Sequence, residues 1–339
     1  MAMTDTAPLP ASPFGLPDTA LVVVNLGTPD AATPTAVRRY LAEFLHDHRV
    51  VDMTRWLWCP LLHFVILPLR SRPVAHKYAS IWIDGADGGS PLAVHTRGLA
   101  RALDAELPGL RVVDAMRYGQ PSLADTLERL RSEGIRRFLV LPLYPQYSTS
   151  TTASIADVVD RFRASAPGCE LRMVKDYHVD AGWVGAVADA IGSHREREGA
   201  GDHLLMSFHG LPQRFVDRGD PYQAQCEASA AAIAAALGLP ADAWSLSYQS
   251  RFGREQWLSP STEDTLKALA ARGVTRVDVV APGFAVDCIE TLEEIAMMLA
   301  EGFAAQGGQL RYIPSLNADA RHARALASLL RASFPDTVA

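Results

Sequence analysis

The chain is poor in cysteine, and the four it has, Cys59, Cys169, Cys226 and Cys288, include no CxxC pair. That absence excludes a zinc knuckle and a clustered iron–sulfur motif, and it points to a reducing compartment. Positive charge is also short. A net charge of −6 leaves no basic footprint for nucleic acid. No apolar run reaches the ~20 residues that a membrane span needs. The Gly-rich stretch 84–91 follows neither the P-loop nor the dinucleotide fingerprint, and no G-x-S-x-G elbow supports hydrolase chemistry. The first 17 residues lack the basic start and apolar segment of a signal peptide; residues 1–19 read as a flexible N-terminal tail.

What is present is a chain of 339 residues, 48% hydrophobic and 21% charged, long enough for two domains with real cores. Short apolar runs at 21–27, 111–116, 137–143 and 171–177 alternate with helical patterns. Four more follow, within 202–212 and at 243–248, 277–281 and 310–313. Continuous apolar runs bounded by turn residues read as buried parallel strands. With four strands before residue 180 and four after, the fold class is α/β. It comprises two similar Rossmann-like lobes, each a four-stranded parallel sheet flanked by helices, with a cleft between them. The bounds are 20–178 for lobe 1 and 179–314 for lobe 2. Residues 315–339 hold a closing helix that the sequence leaves open to either lobe. Asp220, Pro221 and Gln223 suggest a capping box at the start of an Ala-rich helix.

Residues 53–70 stand out as the most apolar stretch, interrupted by Pro60 and Pro68. Three readings are open: a core helix, an apolar lip over a pocket, or a surface that dips into a membrane.

The strand exits should carry the chemistry, because open α/β sheets bind ligands there. They hold Asn25, Arg117, Tyr118, Tyr144, Gln146, Tyr147, His178, Ser207, His209, Tyr248, Gln249, Arg251, Asp287 and Glu290. This polar and aromatic set suits a large, flat, partly anionic ligand, with Tyr144 and Trp257 flanking a ring and Arg117 pairing a carboxylate. His209 ends the Ser-Phe-His-Gly strand, where an imidazole is also commonly structural. Glu290 has a second reading too: with Asp287 as N-cap it falls at N3 and completes a capping box. Glu290 and Glu294 lie one turn apart on one face, which is unfavourable unless they are solvated, protonated or bound to a cation. A His and a Glu meeting at one rim would make a nitrogen/oxygen site for a divalent metal or a proton.

Five segments, in order, resemble ferrochelatases: Val24-Asn25-Leu26-Gly27-Thr28-Pro29, Leu143-Tyr144-Pro145-Gln146-Tyr147-Ser148, Ser207-Phe208-His209-Gly210-Leu211-Pro212, Tyr248-Gln249-Ser250-Arg251-Phe252-Gly253 and Asp287-Cys288-Ile289-Glu290-Thr291-Leu292-Glu293-Glu294. The resemblance runs from about Leu21 through nearly the whole chain. It implies a lyase of haem biosynthesis that inserts Fe²⁺ into protoporphyrin IX with release of two protons, on a fold of two four-stranded lobes. It implies that His209 and Glu290 are the catalytic and metal-binding pair. Asp287, Glu293 and Glu294 would relay protons or metal, and Tyr144, Arg117, Trp257, Ser207, Leu62 and Val65 would bind porphyrin. It also implies that 53–70 is a lip touching the inner membrane peripherally, on an otherwise cytoplasmic protein. The partners expected are porphyrin and iron, with no nucleic acid. Two departures matter. Cys288 stands where many relatives have His. Thr149 stands at a position that supplies a cluster cysteine in some relatives, and no cysteine follows Cys288, so no [2Fe–2S] cluster and no other cofactor is expected. A chelatase for another metal and tetrapyrrole, and a non-catalytic porphyrin carrier, are the rival readings; a carrier has no need of the His209/Glu290 pair.

Overall fold

The computed structural model describes residues 18–338. The N-terminal tail reading therefore lies outside the described residues up to position 17. Thr19 does not belong to a tail, because it is buried and opens the first strand.

Two parallel four-stranded sheets form the frame. The first has the order β2-β1-β3-β4, built from β1 (Thr19–Gly27), β2 (Arg111–Tyr118), β3 (Arg137–Pro142) and β4 (Glu170–Met173). The second repeats that order as β6-β5-β7-β8, built from β5 (His203–His209), β6 (Trp244–Gln249), β7 (Arg276–Val280) and β8 (Gln309–Ile313). The central strands are apolar along their length because helices cover both faces of each sheet. Residues 174–177 follow β4 as loop, with Val174 N–H still bonding Val140 O at 3.0 Å and Lys175 and Asp176 breaking the apolar pattern. Val174 and Tyr177 pack in the core as buried loop, which composition cannot tell from strand.

The helices are α1 (Pro34–Leu45), α2 (Arg55–Leu61), α3 (Leu67–Ile81), α4 (Pro91–Glu106), α5 (Leu123–Ser132), α6 (Thr152–Ser165), α7 (Ala181–Glu198), α8 (Gln213–Asp217), α9 (Tyr222–Ala236), α10 (Thr262–Ala271), α11 (Ala300–Ala304) and α12 (Ala320–Ser333). Two wide π-helical segments, π1 (Leu62–Ile66) and π2 (Glu290–Leu299), interrupt them. The expected capping box at α9 does not form. Asp220 stands one residue further out, where it accepts from Tyr222 N at 3.0 Å and spends its other oxygen on Ser148 and Thr149 of the opposite lobe.

One hydrophobic cluster runs through both lobes, from Leu21 and Leu139 of the first sheet, through Trp183 and Val187 of α7, to Leu204 and Met206 of the second. The closing helix α12 packs against both α4 and α7, so it bridges the lobes.

The lip is one continuous helical rod rather than a run broken by proline. Its turn widens at π1, where Leu67 N bonds Leu62 O in an i→i+5 pattern. A proline ring normally clashes with the carbonyl four residues back, and the wider turn just before Pro68 makes room for it. No helix among the described residues is long and apolar enough to cross a membrane.

Candidate active site

In each sheet the strand order reverses between the two central strands, β1 and β3 in one and β5 and β7 in the other. The carboxyl ends of such a pair open the crevice where doubly wound sheets bind ligands. His209 is the last residue of β5. Its neighbour β7, in register through Met206 and Val280, feeds the loop that leads into π2, and Glu290 is the first residue of π2. His209 thus sits at the switch point of the second sheet, and Glu290 opens the helix that follows the loop after the adjacent strand β7.

His209 is held from two sides. Its Nδ1 lies 2.6 Å from Gly210 O. A carbonyl cannot donate, so Nδ1 carries the proton and Nε2 is left with its lone pair. The His209 carbonyl accepts from Tyr222 Oη at 3.0 Å. Gly210 is needed for space and not for a left-handed φ. A Cβ there would sit 2.6 Å from Gln249 O and 3.1 Å from the Trp257 ring. Trp257 is thereby fixed beside the His209 turn, with its indole N–H buried and unpartnered and the Phe252 ring tilted against it, centroids 4.9 Å apart.

Glu290 is not a cap. The back-bond at the helix start comes from Thr291, whose Oγ1 accepts from Cys288 N at 2.9 Å. Glu290 is anchored instead through its main chain, whose carbonyl accepts from Gln249 Nε2 at 2.8 Å. Ser207 Oγ in turn donates to Gln249 Oε1 at 2.7 Å. Ser207 is fully buried, so it braces Gln249 and has no surface to offer a porphyrin. That is a correction to its expected ligand contact: as an inward residue of a central strand it faces α10, where Thr262 meets it.

The i→i+5 winding of π2 sorts the three glutamates. It turns roughly 80° per residue instead of 100°, so positions four apart stay on one face and positions three apart diverge. Glu294 stays with Glu290. Its carboxylate is clasped by Ser250 N and Oγ at 2.7 and 2.5 Å, Ser250 adopting the left-handed φ of 63° that aims both donors. Burial raises the Glu294 pKa; Ser250 and the charge of His209 pull it back, and Glu290 adds to the rise. Glu293 swings aside and forms an ion pair with Lys77 of α3 at 2.8 Å. Asp287 lies apart, buried, with its oxygens taken by Tyr312, Thr291, Ser315 and Asn317.

Across from Glu290 stand three phenols of lobe 1. Burial pushes Tyr40, Tyr78 and Tyr144 well above the usual tyrosine range, and the Glu290 charge contributes at each, so they remain protonated donors. The buried Tyr144 hydroxyl has no hydrogen-bond partner. Burial likewise pushes up the Cys288 thiol, again with Glu290 adding, which makes it an inert neutral group.

Arg117 is placed differently from the sequence expectation. It donates to Asp47 at 2.6 Å and to the Ser154 hydroxyl at 2.7 Å, and lies over the Tyr118 ring. Burial acts to raise Asp47, but Ser154, the Arg49 N–H, Tyr118 and Arg117 outweigh it and keep the carboxyl low. Arg117 is thus committed within the protein and not free to pair a propionate. Leu62 also departs from expectation, being 0% exposed in a small core with Trp58 and Leu67, while Val65 is 45% exposed on the outer face. Among the described residues, no group of three or more His, Cys, Asp or Glu side chains is arranged so that it could hold a metal ion.

Sequence reading passed over Tyr222, Ser250 and Lys77. The first two act through positions dictated by tertiary approach, and Lys77 lies 216 residues from its partner; only the strand-exit rule, which did pick out Gln249, offered a signal nearby.

A family model for ferrochelatase matches residues 18–334. The chain is 58% identical to a protein named ferrochelatase from Stenotrophomonas maltophilia (strain R551-3), over 94% of this chain and 98% of that one. It is 57% identical to another of that name from Xanthomonas axonopodis pv. citri (strain 306), over 93% and 98%. Among solved structures it is similar to SirB from Bacillus subtilis with Fe³⁺, with a TM-score of 0.54 and 13% identity over 94% of this chain and 97% of that one. CbiX, described as the terminal enzyme for biosynthesis of sirohaem in denitrifying bacteria, superposes with a TM-score of 0.51 and 15% identity over 93% and 99%. At such identities these two speak for the fold alone.

Proposed function

The chain belongs to the ferrochelatase family and is a lyase, a metal chelatase that inserts Fe²⁺ into protoporphyrin IX in haem synthesis, and on that premise we propose that His209 and Glu290 handle the metal and the departing protons. The observation that carries this reading is that His209 ends β5 and Glu290 opens the helix that follows the loop after the adjacent strand β7, with the His209 tautomer set by Gly210.

Fe²⁺ must shed water, and the porphyrin must lose two pyrrole protons. The Nε2 lone pair of His209 can ligate the metal or take a proton. A mixed nitrogen/oxygen pair with open positions suits Fe²⁺ without trapping it, as befits a metal that must move on. Glu290 takes the second role, as ligand or proton acceptor. Glu294, whose raised pKa makes it hold a proton more readily than a free glutamate, stands next in line to receive one. Glu293 then belongs to the Lys77 pair that ties π2 to the lip helix, rather than to the relay. Tyr144, Trp257 and Val65 remain the porphyrin contacts we assign.

Glu290→Gln keeps an oxygen ligand but loses the charge and the basic oxygen. We expect kcat to fall by roughly a hundredfold, with porphyrin affinity unchanged, in an anaerobic Fe²⁺ assay. A rate within threefold of wild type would leave Glu290 as a bystander.

The lip presents Phe64 at 81%, Trp56 at 73% and Leu69 at 69% exposure, an apolar face rimmed by exposed Arg55, Arg70 and Arg72. We propose that this face rests on the inner membrane of a cytoplasmic protein, where the porphyrin arrives from the apolar phase. Phe64→Ser should weaken binding to vesicles containing anionic lipid about tenfold, the scale of one buried aromatic side chain. Sedimentation unchanged by Phe64→Ser and by Trp56→Ser would remove the membrane role. We also propose that the chain carries no [2Fe–2S] cluster; its four cysteines fall in four separate parts of the fold.

A further inference from the structure

At the root of the lip, away from π2, two imidazoles and a thiol face one another. His46 caps the C-terminal end of α1, Cys59 lies in α2, and His63 lies one helical turn beyond it in π1. The distance from His46 Nε2 to His63 Nε2 is 3.4 Å, and from His46 Nε2 to Cys59 Sγ it is 3.8 Å. Tetrahedral coordination at ~2.05 Å to nitrogen and ~2.3 Å to sulfur requires donor edges of about 3.3 Å (N–N) and about 3.6 Å (N–S). Both measured edges therefore lie within a few tenths of an ångström of those values.

The protonation pattern points the same way. His46 Nδ1 lies 2.5 Å from Ala42 O, so Nδ1 is the protonated nitrogen and Nε2 carries its lone pair towards the other two groups. This is the usual support of a metal-ligating histidine, whose second nitrogen is spent on a carbonyl. Cys59 and His63 are an i, i+4 pair on one helical face, a spacing that lets two donors converge. All three residues are half-buried, so a cation could reach them while part of its hydration is replaced. No carboxylate takes part in the contacts of these three groups, and the donor set is nitrogen and sulfur only. That chemistry selects borderline and soft transition-metal ions over Mg²⁺ or Ca²⁺. As placed, the three donors are not arranged to hold an ion, so binding requires the Cys59 and His63 side chains to rotate towards a common point.

We propose that His46, Cys59 and His63 form a binding site for a borderline-soft transition-metal ion of the Zn²⁺ or Co²⁺ class, separate from His209 and Glu290. Two of its ligands ride on the lip and one on α1, so an occupied site pins the lip root to the body of lobe 1. A thiolate ligand must lose its proton on binding, so affinity rises with pH until the thiol is fully ionised.

The test is anaerobic titration of the full chain with Co²⁺ alone, without porphyrin. We expect an intense near-ultraviolet thiolate-to-cobalt charge-transfer band with the visible bands of a tetrahedral ion, saturating at one ion per chain. Cys59→Ser should abolish the charge-transfer band. His46→Gln and His63→Gln should each weaken Co²⁺ binding at least tenfold, and Zn²⁺ should displace the colour. The band should persist in the His209→Ala and Glu290→Gln chains and in Cys169→Ser, which removes the other half-buried thiol. No charge-transfer band in the wild-type chain, or a band that survives Cys59→Ser, would overturn the site. Should His46→Gln unfold, the His63→Gln and Cys59→Ser titrations decide alone.

Discussion

Replacing His209 with alanine should lower the rate of Fe²⁺ insertion by on the order of 10³ while leaving the chain folded. The stability half of that expectation follows from how the residue is held. Its side chain makes one hydrogen bond, to the adjacent Gly210 carbonyl, and its ring meets Phe284 only at 6.3 Å. The bond that matters to the fold, from Tyr222 Oη, is to the main-chain oxygen, which alanine retains. The activity half follows from chemistry. The neighbouring carboxylates, Glu290 and Glu294, cannot replace a neutral base without adding charge. The porphyrin KM should stay near wild type, because the role proposed for His209 is on metal and protons rather than on the ring. Added imidazole should restore part of the lost rate if the truncated side chain leaves room for it. An anaerobic assay that finds the variant within tenfold of wild type, with an unchanged melting midpoint, would falsify the role.

Much of this frame could be read from the chain because parallel strands buried on both faces write themselves as unbroken apolar runs. The strand-exit position of His209 was legible for the same reason, since a polar residue that ends such a run lies at a strand exit, whereas Glu290 lies beyond the loop that follows β7. Arg117 and Glu293 share a different physical cause: each depends on a contact between segments far apart. Arg117 looks available at the end of β2 until Asp47, 70 residues earlier, takes its guanidinium. Glu293 looks like part of one acidic face until Lys77 claims it. The lip hides its register. Trp58, Leu62 and Leu67 point inward at spacings of four and then five, the extra residue being the wide turn of π1, whereas a pattern of 3.6 residues per turn does not single out Leu62 as the buried one. Ser207 shares a strand face with His209 but lies two residues further into the sheet, where Thr262 of α10 covers it.

Asp287 decides between two accounts of the acidic segment, and here the larger effect should be on stability. Its carboxylate is 4% exposed and accepts from Tyr312 Oη at 2.6 Å, Asn317 Nδ2 at 2.7 Å, Thr291 Oγ1 at 3.1 Å and Ser315 N at 3.2 Å. It joins the end of β8, the loop before α12 and the first turn of π2. Asp287→Ala would leave those donors buried without an acceptor. Bonds to a charged group contribute about 1.5–3 kcal/mol each and are not additive, so a loss of about 3–5 kcal/mol in urea unfolding is expected. That is a large share of the roughly 5–15 kcal/mol that holds a typical domain folded. Asp287→Asn should fall between, because its new amide would face the Asn317 amide, donor against donor. Tyr312→Phe should lose less than Asp287→Ala, since it removes one of the four bonds. A relay role makes the opposite forecast: Asp287→Asn would shift the pH dependence of kcat and leave unfolding within about 1 kcal/mol of wild type. If instead the carboxylate holds the start of π2, any loss of rate in Asp287→Asn should come with lower stability, because Glu290 is only as well placed as the turn that carries it.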